Sequence, residues 1–297
     1  MIDLHTHSTA SDGFLNPKEL LDLALKTKLE ALALTDHDAV SGLEELHKFA
    51  KNKKIEIING AELSVYYPNT DMEILAINIP NKSLNAFKEY QNNELNRRKK
   101  ITNRRIHLLQ LAGFDITYED VAFDTNKIER TQIRRPHFVD VLLKKGYIKT
   151  TEEAYKKIFA KGGPARVENK PKSVKEVISF IKDNGAKAIL AHPIHTKKED
   201  KKLYQMIKRL KSYGLDGIEV FHSSHPQAER IKYLNIIRDL NLITTGGSDY
   251  HGGTAHPDNK LGTGKNNNLN IPYFVAKELY HKKSPSKSYY DEIEKYL

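Results

Sequence analysis

The 297-residue chain contains no cysteine. Without thiols there is no disulfide framework, and any metal ion must be held by nitrogen and oxygen ligands. No apolar run approaches the roughly 18 residues of a membrane-spanning helix, and the N-terminus lacks the basic and then apolar pattern of a signal peptide. These absences argue against a disulfide-rich secreted scaffold and a membrane protein. We therefore expect a cytoplasmic protein that has no membrane partner.

Positive charge is abundant and unevenly distributed. Lys and Arg outnumber Asp and Glu by 48 to 38, which gives a formal net charge of +10. The stretch NRRKKITNRR, from Asn96 to Arg105, contains no acidic residue. A solvated, lysine-rich surface would explain the excess without a partner, whereas clustered basic residues are also typical of proteins that bind phosphate-bearing molecules. Charge alone leaves both interpretations open.

Short apolar runs alternate with amphipathic helical segments along most of the chain. Three of the helices are predicted to begin at capping boxes, in which Asn16, Ser41 and Ser173 would be the N-caps. The apolar runs have the length of buried strands and are seven in number: IDLHTH, LEALALTD, IEIINGAEL, MEILAINI, AKAILAHP, GIEVFH and LITTGGSDYHG. Strands that alternate with helices predict an α/β fold built on a parallel sheet.

Histidine and acidic residues collect at the C-terminal ends of these runs. In (β/α) barrels the functional side chains come from the C-terminal ends of many strands, whereas an open, doubly wound sheet gathers its ligands at one switch point. Because nearly every run contributes a polar side chain here, the pattern favours a distorted, nearly closed (β/α)7 barrel.

The stretch from about residue 83 to 172 interrupts the alternation of strands and helices. Its patterns are helical, and it contains much of the basic charge. We interpret it as a small helical insertion domain beside the mouth of the barrel. The predicted organisation is a barrel formed by residues 1–82 and 173–268, the insertion at 83–172, and a C-terminal extension at 269–297 whose polar tail we expect to be peripheral.

The polar residues at the strand ends are typical of a metal site. Residues i and i+2 of a strand face the same side, so His5 and His7, or Asp249 and His251, can point into one cavity. Imidazole and carboxylate ligands suit manganese, and also iron or zinc, better than calcium or magnesium. The candidates exceed the needs of one ion, so we expect two or three divalent ions, with Glu62 as a bridging carboxylate. The candidate ligands are His5, His7, Asp12, His37, Glu62, His192, Asp249 and His251.

Together these motifs resemble the PHP (polymerase and histidinol phosphatase) family of metal-dependent phosphoesterases. They are HTHSTASDG, LTDHDAVSG, GAELS, RRPHFVDVLLKKGY, LAHP, GLDGIEVFHSSH and GGSDYHG, and they extend over residues 1 to 264. With its helical insertion, the chain is similar to the branch that includes 3′,5′-nucleoside bisphosphate phosphatases and a 5′→3′ exoribonuclease. The resemblance implies the PHP fold, a distorted (β/α)7 barrel with a small helical insertion domain.

The resemblance also implies how the ligands are divided among the ions. The first ion would be bound by His5, His7, Glu62 and Asp249. The second would be bound by Asp12, His37 and His251. The third would share Glu62 and also use His192 and residue 73. Here the sequence departs from the family pattern, because Glu73 stands where family members usually have histidine. A glutamate can bind manganese, although it adds negative charge to the site.

Further residues are implied to contact the substrate. Arg135 and His137 lie in RRPH, the phosphate-contacting motif of the family, and a planar guanidinium suits bidentate contact with phosphate. Lys161 in KGGPARV is a further candidate for phosphate binding. His222 and His225 in VFHSSH are predicted catalytic residues, which would bind the substrate phosphate or protonate the leaving oxygen.

The predicted function is hydrolysis of the 3′ phosphoester of 5′-phosphorylated nucleotides by metal-activated hydroxide. The substrates would be 3′,5′-bisphosphate nucleotides, 5′-phosphorylated RNA trimmed from its 5′ end, or both. Two alternatives stay open: a phosphatase of small metabolites such as histidinol phosphate, and a degenerate PHP module that binds nucleic acid without catalysis. The sequence does not distinguish between free nucleotides and RNA, and it does not determine the oligomeric state.

Overall fold

We describe the fold from a computed structural model of the chain. The structure describes residues 1–123, 130, 133–167, 171–253, 258–281 and 285–297. The strands of the main sheet are β1 (Ile2–Asp3), β2 (Ala31–Leu34), β3 (Glu56–Tyr67), β4 (Thr70–Ile77), β5 (Lys187–Leu190), β6 (Gly217–His222) and β7 (Ile243–Gly247). Two further short strands, β8 (Asn259–Lys260) and β9 (Gly264–Lys265), pair with each other. The main strands correspond to the seven predicted apolar runs.

The seven strands form one sheet whose spatial order follows the chain. The sheet is parallel from β1 to β3 and from β5 to β7, but β4 runs antiparallel to both of its neighbours. The prediction of a parallel sheet is therefore wrong for this strand. The cause is the connection, because a tight turn between β3 and β4 joins only antiparallel strands.

The sheet curls until its first and last strands meet. The Leu4 backbone N–H donates to the Gly246 carbonyl oxygen at 3.1 Å, and Thr6 pairs with Tyr250 in a parallel bridge. The contact is so close that a Cβ atom on Gly247 would lie 2.3 Å from the backbone nitrogen of His5. The predicted α/β architecture, a nearly closed seven-stranded barrel, is confirmed.

Helices cover the outside of the barrel and build the insertion. They are α1 (Pro17–Lys26), α2 (Gly42–Ala50), α3 (Leu84–Leu111), α4 (Tyr118–Ala122), α5 (Arg135–Lys144), α6 (Thr151–Glu153), α7 (Val174–Asp183), α8 (Asp200–Ser212), α9 (Gln227–Leu240), α10 (Phe274–Lys277) and α11 (Lys287–Glu294). The capping boxes at Asn16 and Ser173 are confirmed. The one predicted at Ser41 is wrong, because this residue already has helical backbone angles and its side chain makes no capping hydrogen bond.

The insertion has an apolar cluster of its own. Phe87 and Tyr90, near the start of α3, pack on the core of the barrel. The far end of α3 packs with α4, α5 and the helical turn Ala154–Ile158 around Leu109 and Phe138, in a cluster separate from that core. This separation supports the division into a barrel and a helical insertion, whose exact boundaries stay a prediction.

The end of the chain is less peripheral than expected. Tyr289, Tyr290 and Ile293 lie on one face of α11 and are buried against the barrel. The Tyr289 hydroxyl accepts the backbone N–H of Thr244 at 3.0 Å, which fixes the helix to β7. The polar composition of the tail conceals this apolar face. No helix within the described ranges combines the length and the apolar character needed to cross a bilayer.

Candidate metal centre

The predicted metal ligands lie together at one end of the barrel. His5 and His7 follow β1, and His37 follows β2. Glu62 lies on β3, and Glu73 lies on the adjacent strand β4, where it pairs with Ser64. The remaining ligands follow β5 and β7, except for Asp12, which comes from the loop after β1. They are Asp12, His192, Asp249 and His251. Because the strands converge at this end, residues far apart in the chain can bind the same ion.

Distances between ligand atoms fit the division into ions that the family resemblance implies. In the first predicted site, Asp249 Oδ1 lies 3.1 Å from His7 Nε2 and 3.5 Å from His5 Nε2. The second predicted set, Asp12, His37 and His251, forms one group with His7 in which all ligand atoms lie within 4.8 Å of one another. The structure therefore brings together residues that the sequence separates by more than two hundred positions.

Glu62 occupies the position expected of a bridging carboxylate. Its Oε1 atom lies 2.8 Å from His192 Nε2, while Oε2 lies 2.9 Å from His37 Nδ1 and 3.4 Å from His5 Nε2. Glu73 Oε2 lies 3.6 Å from His192 Nε2, although the close group that contains Glu73 is completed by His37 and Glu62. The two oxygens of one buried carboxylate thus face different groups of histidines.

Strained backbone supports this arrangement. Asp38, His192 and Asp249 have positive φ angles of 52°, 23° and 56°. Residues other than glycine rarely adopt such angles, at a cost of about 1–3 kcal/mol each, and they persist where the surrounding structure enforces them. At His192 and Asp249 the turn directs the side chain from the strand end toward the cluster.

The charges of the cluster fit cations. Burial alone would raise the pKa of Glu62, yet His37 and His5 hold the pKa of this carboxyl well below its usual range. Burial lowers the pKa of His7 to about 3, aided by the neighbouring His251 and His37, so its imidazole is neutral and can bind a metal ion. Against the penalty of burial, Asp249 and Asp12 raise the pKa of His251 to about 10. A divalent ion would supply this positive charge in place of the proton.

Buried ring nitrogens at the cluster also fit metal ions. His5 Nε2, His7 Nε2 and His222 Nε2 are buried, and none makes a hydrogen bond of acceptable geometry within the described part of the chain. A buried polar atom without such a partner is costly, and coordination of a metal ion would remove the cost. The donors are imidazole and carboxylate groups, so the residues present fit divalent ions such as manganese, iron or zinc.

Glu219 is a supporting residue that sequence reasoning missed. It is buried in β6, with Oε1 3.0 Å from His5 Nδ1, and its Oε2 accepts the His192 backbone N–H at 2.8 Å. Burial would raise its pKa, but His5 and His222 lower it to about 2, so the carboxylate is charged. Such carboxylates orient histidine ligands and increase their basicity. The signal was a single acid inside the apolar run GIEVFH.

The two predicted catalytic histidines have different surroundings. His222 Nε2 points at the cluster and lies 3.5 Å from Asp249 Oδ2, which favours a contact with metal over proton transfer. His225 is buried behind it, and its Nδ1–H donates to the Val220 carbonyl oxygen at 3.0 Å. Burial and the adjacent His222 lower the pKa of His225 to about 3. This geometry does not favour direct contact of His225 with substrate.

His195 is a better candidate for contact with the substrate, although sequence reasoning assigned it no role. Its ring lies edge-on to His192, with 4.8 Å between the ring centroids, and it is exposed at the mouth of the barrel. Partial desolvation beside the cluster lowers its pKa to about 4, with help from His192 and His222, so the imidazole is neutral near neutral pH. The AHP motif identified His192 as a ligand, whereas no pattern in the sequence gave His195 a role.

A cleft of about 1040 Å³ lies between the metal centre and the insertion. Arg134 extends from the insertion to the cluster, with Nε 3.4 Å from Asp12 Oδ2 and Nη2 3.7 Å from Glu73 Oε1. Arg98, on α3, pairs with Asp38 and donates to the Ser64 hydroxyl at 3.1 Å. The insertion therefore places guanidinium groups at the edge of the metal centre.

The predicted phosphate-binding residues are separated by the structure. Arg135 is exposed and lines the cleft, with its guanidinium 5.9 Å from the centre of the Tyr155 ring. His137 is buried, and its Nδ1 accepts the Arg134 backbone N–H at 3.0 Å, so it caps α5 and positions Arg134. Lys161 is exposed and is not among the described residues that line the cleft. Of the three, only Arg135 is both exposed and part of the cleft lining, so its role as a phosphate ligand stays a prediction, whereas the geometry favours neither His137 nor Lys161.

The sequence profile of the PHP domain family matches residues 3–188. The chain belongs to the PHP domain family. This PHP chain is 28% identical to a 5′-3′ exoribonuclease from Haemophilus influenzae, over 84% of its own length and 89% of that protein. It is 29% identical to a 3′,5′-nucleoside bisphosphate phosphatase from Chromobacterium violaceum, over 84% and 87% of the two chains.

A solved structure extends the comparison to the fold of the PHP chain. A protein from Bifidobacterium adolescentis, assigned as a metal-dependent phosphoesterase, is 28% identical and superposes with a TM-score of 0.79 over 93% of this chain and 94% of that one. Together the comparisons confirm the predicted family and the predicted class of enzyme, a phosphoesterase.

Glu73, the departure from the family pattern, gives the first testable prediction. If its carboxylate binds the third ion, Glu73→Ala will lower the metal content by about one equivalent, and Glu73→His, which restores the family residue, will keep it. Elemental analysis of purified protein measures the content, and turnover is measured on the same samples. Unchanged metal content with normal turnover in Glu73→Ala would show that another residue supplies the ligand, or that only two ions are bound.

Proposed function

We propose that this PHP protein hydrolyses the bond between phosphorus and the 3′ oxygen of 5′-phosphorylated nucleotides. With a 3′,5′-bisphosphate nucleotide the products are a 5′-mononucleotide and inorganic phosphate. With RNA the same step releases a 5′-mononucleotide and leaves a 5′-phosphate on the shortened chain. The observation that supports this proposal best is the convergence of the metal ligands at the floor of a cleft whose other wall contains arginines.

The cofactors in this proposal are two or three divalent ions, with manganese as the first expectation. Glu62 would bridge two of them, because its two oxygens face different histidines. When bound, such ions generate a nucleophile from water at neutral pH and neutralise charge on the phosphoryl oxygens. The ligand groups above fit this use without any cysteine.

The protein's own residues would complete the reaction. Arg134, at the edge of the cluster, would neutralise charge that develops on the phosphoryl oxygens. His195, exposed beside His192, would contact the substrate at the mouth of the site as a neutral imidazole. Glu219 would hold His5 in the orientation that its Nε2 atom needs. Arg135 would bind the 5′-phosphate further along the cleft.

The cleft also supports a nucleotide substrate over a small metabolite. Its volume of about 1040 Å³ slightly exceeds the range for sites that bind drug-sized ligands, about 300–1,000 Å³. Arg98 and Arg105 of the stretch NRRKKITNRR line it, while Lys99, Lys100 and Arg104 are exposed on the same helix. Two relatives described above are named for action on RNA and on bisphosphate nucleotides. The retained ligand set argues against a degenerate binding module.

A substrate panel tests the proposed function. Metal-stripped protein, reloaded with manganese, should release phosphate from 3′,5′-bisphosphate adenosine and trim 5′-phosphorylated oligoribonucleotides stepwise from the 5′ end. It should act much more slowly on 5′-hydroxyl oligoribonucleotides and on histidinol phosphate. Phosphate release and product ladders on denaturing gels provide the measurements. Fastest turnover of histidinol phosphate would instead identify a small-metabolite phosphatase.

A further inference from the structure

Part of the cleft lining has no role in the reaction described above. Besides the insertion, its walls include the tip of the β3–β4 hairpin and the segment between β5 and α8. The hairpin contributes Tyr66, whose side chain is half exposed, and Tyr67. The segment contributes Lys197, Lys198 and the nearby Lys202. Aromatic rings beside basic side chains in one groove are typical of sites that bind single-stranded nucleic acid.

We propose that Tyr66 and Lys198 form a subsite for the nucleotide that follows the scissile phosphate in an RNA chain. Tyr66 would stack on the base of that nucleotide, and Lys198 would pair with the next phosphate. This inference rests on the proposed function and deepens it, because only a substrate with at least two nucleotides can occupy the subsite. The protein would then be adapted to RNA ends in preference to free bisphosphate nucleotides.

The direction of β3 places Tyr66 on the correct side of the sheet. Alternate residues of a strand face the same side, so Glu62, Ser64 and Tyr66 share one face. At about 3.3 Å per residue, Tyr66 begins roughly 13 Å beyond Glu62 along the strand. Ser64, between them, lies beside Asp38 and Arg98 at the edge of the metal centre. A chain whose first phosphoester lies at the metals can therefore continue along this face to Tyr66.

The hairpin is held firmly enough to act as a stacking surface. The Tyr66 backbone N–H donates to the Lys172 carbonyl oxygen at 2.8 Å, and Tyr66 also pairs with Ser173 in a parallel bridge. These contacts tie the end of β3 to the segment that leaves the insertion. The Tyr66 ring nevertheless stays half exposed, with a relative accessibility of 50%. The backbone that carries the ring is therefore fixed, and the exposed ring is available for a base to stack on it.

The basic side chains of the subsite are available for phosphate. In the described part of the chain neither Lys197 nor Lys198 forms an ion pair with a carboxylate, while Lys202 pairs with Glu199 at 2.9 Å. The Lys198 ammonium lies 5.8 Å from the centre of the ring of Tyr67, the residue next to Tyr66, and both Lys198 and Tyr66 line the cleft. Two lysines without carboxylate partners beside an exposed ring form a positively charged subsite that can bind phosphate. Their contribution to binding will weaken with added salt.

Steady-state kinetics on two substrates tests the subsite. The substrates are 3′,5′-bisphosphate adenosine, which lacks a second nucleotide, and a 5′-phosphorylated tetra-adenylate. We expect Tyr66→Ala to lower the ratio of kcat/KM for the tetramer to that for the mononucleotide by about 5- to 150-fold, the range found when a stacking ring is removed. Tyr66→Phe should keep the ratio. Lys198→Ala should lower the ratio and weaken the salt dependence of kcat/KM for the tetramer. Lys201→Ala is the matched control and should change neither, because Lys201 lies on α8 outside the cleft lining.

A fluorescence measurement reports on stacking without turnover. A tetramer with 2-aminopurine at its second nucleotide should lose fluorescence when it binds to wild-type protein and keep it with Tyr66→Ala. Equal losses of kcat/KM on both substrates, or an unchanged ratio in Tyr66→Ala, would overturn the subsite. Failure of wild-type protein to hydrolyse either substrate would instead refute the proposed function, so the two failures are distinguishable.

Discussion

Asp249→Ala should abolish most of the activity, with a loss of kcat of at least about 10³-fold. The Asp249 carboxylate lies within 3.5 Å of ring nitrogens of His5, His7 and His222, so its removal affects several ligand groups at once. Loss of one group that stabilises the transition state already costs about 10²–10³-fold, and loss of a ligand also displaces the ion. Rates of phosphate release from the bisphosphate nucleotide measure the effect.

Metal content distinguishes this loss from unfolding. Wild-type protein should contain more than one equivalent of manganese, iron or zinc, and a chelator should remove its activity until metal is added back. Asp249→Ala should contain less metal and show the circular dichroism of the wild type. Asp183→Ala, an exposed residue at the end of α7, is the matched control and should behave as wild type. A loss of activity below about tenfold, or at most one tightly bound ion in the wild type, would refute the multinuclear centre.

Arg134 and Arg135 should differ sharply although they are neighbours in sequence. Arg134 lies within 4 Å of carboxylate oxygens of Asp12 and Glu73 at the metal centre. Arg134→Ala should therefore lower kcat about 10²–10³-fold on every substrate, whatever its 5′ end. Arg135 is exposed in the cleft, where it would bind the 5′-phosphate. Arg135→Ala should slow 5′-phosphorylated substrates about ten- to a hundredfold, the effect of one charge-assisted contact.

The comparison of matched oligoribonucleotides with 5′-phosphate and 5′-hydroxyl ends measures both effects. Arg134→Ala should keep the ratio of the two rates, whereas Arg135→Ala should bring it close to one. Arg134→Lys and Arg135→Lys are control variants. Lysine keeps the positive charge but lacks the planar guanidinium that can contact a phosphate through two nitrogens. The opposite assignment, in which Arg134→Ala alone removes the preference for a 5′-phosphate, would move the phosphate anchor from Arg135 to Arg134.

Much of the metal centre could be predicted because its signals are local. The pairs His5 and His7, and Asp249 and His251, show the spacing that places two side chains on one side of an extended segment. The apolar run before each ligand identifies a strand, and the chain order of the strands is also their order in the sheet. Ligand type, strand number and barrel architecture follow from such short-range patterns.

Residues that depend on distant partners escaped the sequence analysis. Glu219 lies within an apolar strand, and only its distance of 3.0 Å from His5 reveals its function. His195 owes its position at the mouth of the barrel to a turn that includes His192 at a φ of 23°. Neither a contact across 214 positions nor an unusual backbone angle leaves a reliable pattern in neighbouring residues.

The sequence by itself determined which residue types are available to bind divalent ions, because a metal centre without thiols needs many imidazole and carboxylate groups, and here they follow the strands. Only the tertiary structure decided which of two adjacent arginines reaches the centre. His137 accepts the backbone N–H of Arg134 and fixes the start of α5, so Arg134 points toward the metal centre and Arg135 lines the cleft. The orientation of the two arginines depends on how the insertion packs against the barrel. No short segment of the chain predicts this packing, because each of the two apolar clusters combines residues that are distant in sequence.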